Sequence, residues 1–298
     1  MTKNQWQELE DTGILSKDLT ERVFKQFCLQ DAVKEDILKL MEHFGLIGEI
    51  STSPTNVSYF VPAQVKAKDK PLPSLEPSCS DPTPLYFDFR TGFVPHGLFA
   101  QIVCRSICWV SKMVNQWEES SLCPPPRKRL KTEPTCDVQL CQSEARLFII
   151  RRDTSHCLKL ICKKRFIRIV LLKLVKKAEP NLGDISNEIA TQVLEFLKTT
   201  LQDLSEQFRY LHGLRYKLCV ACPSCAEGSQ RCKKHGELCC KQDACLHLIE
   251  VKRYGQMICT YTYEVLTVNG IEQWFPKTTE EVMKLQYCSI SSYLTAVT

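Results

Sequence analysis

Apolar residues recur at helical spacing in five stretches of the chain and alternate at strand spacing in several others. Ser16 is placed to cap a helix whose apolar positions are Leu19, Val23 and Phe27. A second helix is predicted from about Lys34 to Phe44, with Ile37, Met41 and Phe44 on its stripe and Gly45 as its stop. Val57–Val61 reads as a strand closed by Pro62. Leu85, Phe87 and Phe89 alternate with Tyr86 and Asp88, which predicts another strand. Pro95 then opens a helix carrying Leu98, Ile102, Val103, Ile107 and Val110. Three strands follow, near 145–151, 157–162 and 166–175, and consecutive short strands favour an antiparallel sheet. The clearest helix spans Pro180 to Gly213, with Ile189, Val193, Leu197, Leu204, Phe208 and Leu211 on one stripe. The last part is β again. Met257–Val268 and Ile271–Phe275 flank Asn269-Gly270, a two-residue hairpin signal. Thr278 and Glu281 form a capping box for a short final helix.

Two breaks divide this pattern. Residues 62–84 hold six prolines, and residues 118–144 contain Cys123-Pro-Pro-Pro126 followed by Arg127-Lys-Arg-Leu-Lys131. The domains expected are therefore a winged-helix-like unit over 1–117, a basic linker over 118–144 and a sheet with a long helix over 145–215. A cysteine- and histidine-rich module over 216–250 and a hairpin with a short helix over 251–298 complete the chain. The fold class expected is α+β, with an antiparallel or mixed sheet and a zinc-ribbon-like insertion.

Charge sharpens this division. The net charge of +5 is −4 over residues 1–120, +11 over 121–177 and −2 over 178–298. One segment holds the excess, which points to a local anionic contact. No apolar run reaches the roughly 18 residues of a membrane span, and the N-terminus lacks the apolar core of a signal peptide. A cytoplasmic location is expected, with a nuclear one open through Arg127, Lys128, Arg129 and Lys131, which match a short import or anion-binding pattern.

Four segments come in an order that resembles a known family. They are Leu40-Met-Glu-His-Phe-Gly-Leu-Ile47, Tyr59-Phe-Val-Pro62, Pro84-Leu-Tyr-Phe-Asp-Phe89 and Gly92-Phe-Val-Pro-His-Gly-Leu-Phe99. They resemble the COR region, the part of Roco proteins that follows the Ras-like Roc GTPase. The resemblance covers about two thirds of the chain. It implies a winged-helix-like first part, a sheet with helices second, homodimerisation and coupling to a Roc-type GTPase in cis or trans. It also implies signalling by protein–protein contact rather than chemistry. The chain has no G-x-x-x-x-G-K-[ST] phosphate loop, so GTP binding does not carry over.

Cysteine usage carries the second signal. Of 18 cysteines, seven lie between Cys219 and Cys245, joined by His235 and His247. Cys222 and Cys225 have the C-x-x-C spacing that sets two thiolates on one tetrahedral ion. The first ligand set expected is Cys222, Cys225, His235 and Cys245, followed by Cys232, Cys240 and His247. Structural zinc contributes roughly 10–16 kcal/mol to folding such modules. A reduced loop, or disulfides formed on oxidation, is the alternative. Zinc deaminases need H-x-E before P-C-x-x-C, whereas His235-Gly-Glu237 follows the pair here. No catalytic residue is expected, and His43 and His96 read as core or surface groups. Two rival functions remain: a nucleic-acid-binding zinc protein using the basic 121–177 segment, and a cysteine-dependent enzyme.

Overall fold

The computed structural model describes residues 3–53, 56–65, 77–78, 80–119, 138–141, 143–150, 155–174, 183–226, 245–252 and 257–275. The fold is α+β with antiparallel sheets. The N-terminal part holds α1 (Lys3–Thr12), β1 (Ile14–Ser16), α2 (Lys17–Lys25), α3 (Asp31–His43), β2 (Gly48–Ser53) and β3 (Asn56–Phe60). The Ser16 hydroxyl accepts from the Leu19 amide at 3.4 Å, the N-cap its position predicts. The three strands form a small sheet in the order β1-β3-β2. Strand β2 was not foreseen, because Gly48-Glu-Ile-Ser-Thr-Ser53 lacks alternating apolar positions.

The larger sheet has seven strands. They are β4 (Leu85–Phe89), β5 (Val138–Cys141), β6 (Glu144–Ile150), β7 (Ser155–Cys162), β8 (Phe166–Leu174), β9 (Tyr216–Ala221) and β10 (Leu248–Glu250), in the order β10-β9-β4-β8-β7-β6-β5. Every neighbouring pair is antiparallel. Period-2 alternation gives the sheet two faces. One carries Leu85, Phe87, Ile149, Leu158, Leu160 and Ile169, all buried in the main core. Two helices cover that face: α4 (Leu98–Glu119) and α5 (Gly183–Gln207). The apolar stripe read for α4 is buried at all five positions. Helix α5 ends at Gln207 rather than running on to Gly213, and a 3-10 turn follows over Arg209–Leu211. Trp109 of α4 stacks on Phe196 of α5 at 4.6 Å.

The opposite face holds Tyr86, Phe166 and Cys219 in one cluster and Cys157, Val170 and Leu172 in another. Arg146 and Lys159 face each other across β6 and β7, both buried, and Glu144 pairs with each. Like charges directly opposite are unfavourable, and the shared carboxylate offsets this.

The C-terminal part departs from expectation. The hairpin forms one turn earlier than Asn269-Gly270, between β11 (Met257–Ile258) and β12 (Val265–Leu266). A 3-10 turn over Glu272–Trp274 replaces the strand expected at 271–275. Asn269-Gly270 makes a turn that lowers Trp274 into the main core, where its indole N–H donates to the Thr83 carbonyl at 2.8 Å. Gly270 has φ +79°, and a Cβ there would stand 3.2 Å from the Asp81 oxygen and the Thr83 nitrogen. Gly92 has the same φ in open space. Gly92→Ala should therefore cost about 1 kcal/mol from backbone strain, and Gly270→Ala about 2–3 kcal/mol because backbone must also move. Chemical denaturation of the two variants reads the difference; equal losses would contradict this packing.

Residues 276–298, with the helix expected from Thr278, lie outside the described residues, as do Arg127, Lys128, Arg129 and Lys131. Among the described residues no helix is long and apolar enough to cross a membrane.

Candidate metal centre

Three separate pieces of chain meet at the outer end of the large sheet. Strand β9 ends at Ala221, and the next amide, Cys222, donates to the His247 carbonyl at 2.9 Å. That bond extends the β9–β10 ladder and fixes Cys222 beside His247. A single helical turn, α6 (Pro223–Ala226), opens on a proline whose fixed φ suits a first helical position. It swings Cys225 back toward Cys222. The third piece is the turn joining β11 to β12, with Cys259 at its start. The Cys259 amide donates to the Glu264 carbonyl at 3.0 Å, and the Tyr263 amide to the Cys259 carbonyl at 2.8 Å. Tyr263 closes this turn at φ +59°.

The ligand atoms of Cys222, Cys225, His247 and Cys259 all lie within 4.8 Å of one another, close enough to hold a metal ion. Cys225 Sγ is 3.1 Å from His247 Nδ1 and 3.8 Å from Cys259 Sγ, and Cys259 Sγ is 3.8 Å from the same nitrogen. Two thiolates at about 2.3 Å from one tetrahedral ion stand about 3.8 Å apart. The Cys225–Cys259 spacing matches that edge.

Neighbouring groups orient the ligands. His247 Nε2 lies 3.0 Å from Thr260 Oγ1; in the tautomer in which Nε2–H donates to that hydroxyl, Nδ1 keeps its lone pair toward the sulfurs. Tyr261 stacks on the imidazole at 4.1 Å. The amides of Tyr261 and Thr262 both donate to Cys259 Sγ at 3.4 Å.

These contacts set the protonation states. Burial, then the charge of Arg165, lowers the His247 pKa and favours the neutral imidazole a metal requires. Burial opposes ionisation of Cys259, but hydrogen bonds from the Thr262 side chain, the Thr262 and Tyr261 amides and the Cys222 thiol together bring it down to about 7. Burial and its hydrogen bonds with Cys222 and Cys259 push Cys225 up to about 12. Cys222 is raised as well, chiefly by burial. A cation binding here displaces protons from all three thiols. Apparent metal affinity should therefore rise with pH, about a hundredfold per unit above pH 7 and about a thousandfold per unit below it. Chelator competition across neutral pH reads this slope; a flat profile would exclude thiolate ligation.

The structure brings together Cys222, Cys225 and His247 from the expected set and adds Cys259. Cys245 is not part of the cluster, although it lies only two residues before His247. The reason is directional. The two residues from Cys245 to His247 lead into β10, and the fourth ligand position is filled by Cys259, the residue after β11. His235, Cys232 and Cys240 lie outside the described residues. Cys259 was missed because Met257–Val268 reads as one continuous strand, which places that thiol in a ladder rather than at a turn. Its available signal was Cys259 followed by Thr260, Thr262 and Asn269-Gly270, a run too polar for a buried strand.

No family model and no curated protein matches the chain.

Proposed function

We propose that this chain is a non-enzymatic dimerisation and scaffold module of the COR type, held in shape at one end by a structural zinc ion. The observation that carries the structural role is the ligand count. Three cysteines and one histidine complete a tetrahedron from protein alone, which leaves no open position for water or substrate. Soft thiolates with one imidazole suit zinc among abundant divalent ions. Among the described residues the cluster contains no carboxylate to act as a base.

Four further thiols among the described residues support the same reading. Burial pushes Cys108, Cys157 and Cys162 up to about 11 and Cys219 to about 12, which makes them poor nucleophiles. The N-terminal helices and three-stranded sheet suit a winged-helix-like first COR part, and the seven-stranded sheet with α4 and α5 suits the second. In this proposal the working partners are a second copy and a Roc-type GTPase. Sedimentation at micromolar concentration, alone and with a Roc-type GTPase, tests it. A dimer or a GTPase complex supports it. A monomer that ignores the GTPase overturns the scaffold role while leaving the metal centre standing.

A further inference from the structure

Three connections meet at the end of the large sheet away from Cys222. They are residues 90–97 after β4, 163–165 between β7 and β8, and 208–215 between α5 and β9. Backbone bonds tie them into one surface. The Phe89 amide donates to the Arg165 carbonyl at 3.2 Å, Arg90 to Arg215 at 3.1 Å and Val94 to Lys164 at 2.8 Å. The Tyr210 hydroxyl lies 3.7 Å from where a side chain on Gly97 would begin. None of the three connections contains an Asp or a Glu. Together they expose Arg90, Lys163, Lys164, Arg209 and Arg215. Arg165 pairs with the Asp88 carboxylate at 2.9 Å.

This surface is also apolar at its high points. Phe93 is 53% exposed and Tyr210 59% exposed. Phe93 follows Gly92, whose surroundings are open to 4 Å, so the ring stands at a loop tip. His43 packs on Phe208 at 5.2 Å, which brings the end of α3 to the border and adds exposed Phe44 and Leu46.

We propose that this end of the sheet docks on an anionic lipid surface, with Phe93, Tyr210 and Phe44 entering the headgroup region and Arg90, Lys164, Arg209 and Arg215 facing acidic headgroups. Charge complementarity identifies the occupant as anionic, because the cations gather with no acidic residue among the three connections. The apolar contribution selects lipid over nucleic acid. Phe93 and Leu46 have no polar handle, and an aliphatic side chain such as Leu46 partitions into a bilayer but gives no stacking platform for a base. Each basic residue near an acidic leaflet adds a similar increment, and salt screens it. None of the residues proposed to touch lipid is a ligand of the metal cluster, so this inference stands without the zinc reading; Arg165, which donates to the Leu246 carbonyl at 3.2 Å, links the two regions.

Co-sedimentation with vesicles tests it. Phosphatidylcholine vesicles containing about one-quarter phosphatidylserine should bind the protein at low salt and release it as salt rises. Phosphatidylcholine alone should not. Lys164→Gln with Arg215→Gln should weaken binding about 30-fold, the loss expected for two such charges. Phe93→Ser should weaken it with an unchanged salt dependence. All three side chains are exposed, so thermal midpoint and metal content should match the parent protein and serve as folding controls. Binding indifferent to phosphatidylserine, or an unaltered double variant, would overturn the proposal. So would preferential binding of a single-stranded oligonucleotide over the acidic vesicles.

Discussion

Cys259→Ser should strip the metal as completely as Cys222→Ser, although Cys259 lies well outside the cysteine-dense run. Its sulfur sits 3.8 Å from both Cys225 Sγ and His247 Nδ1, and it receives two backbone amides. Replacing it removes a first ligand and one of the three negative charges on the ion. The affinity loss should exceed the roughly 10–100-fold that follows from removing an outer hydrogen-bond partner. Cys245→Ser should retain one bound ion per chain, since Cys245 stands outside the cluster. Elemental analysis of the three variants, purified under reducing conditions, decides the matter. Retention by Cys259→Ser together with loss from Cys245→Ser would place the site in the wrong part of the chain.

Trp274→Ala should cost about 4 kcal/mol of folding stability. Trp274 is 1% exposed within the core shared by β4, α4 and α5. Truncating a buried Trp to Ala costs about 3–5 kcal/mol in packing and cavity terms. Loss of the indole N–H also leaves the Thr83 carbonyl without its 2.8 Å partner. This one side chain fastens the segment after the metal turn to the start of β4. Urea unfolding gives the number, with Phe93→Ala as a surface control near zero. A loss below about 1 kcal/mol would mean that the C-terminal segment does not complete the core.

The helices and central strands were legible because their burial is periodic. Leu98, Ile102, Val103, Ile107 and Val110 announce α4, and the alternation of Leu85, Phe87 and Phe89 announces β4. Strand β2 was hidden because its pairing with β3 depends on tertiary contact, with Gly48 set tightly against Cys104, rather than on its own pattern. Strand β5 sits at the sheet edge beside a break in the chain and was not distinguished from it. The C-terminal hairpin was displaced for a different reason. Asn-Gly is the stronger local turn signal, yet the chain reverses at Cys259, where hydrogen bonds to one sulfur organise the backbone.

The metal site was half legible for a related reason. Local spacing exposes a C-x-x-C pair because one ligand precedes and the other rides on the same helical turn. It cannot rank distant ligands, because His247 and Cys259 are delivered by strand pairing. The same limit applied to the lysines and arginines of residues 121–177, which read as one basic block. The sheet separates them. Arg146 and Lys159 are buried around Glu144, while Lys163 and Lys164 join Arg90 and Arg215 at the sheet end.

We propose that one structural zinc ion is held by three cysteines and one histidine drawn from three segments. X-ray absorption at the zinc edge, on protein purified under reducing conditions, tests it most directly. The predicted result is one zinc per chain with three sulfurs at about 2.3 Å and one nitrogen at about 2.0 Å. A shell containing water or carboxylate oxygen, a four-sulfur shell, or a folded protein that holds no zinc would contradict it.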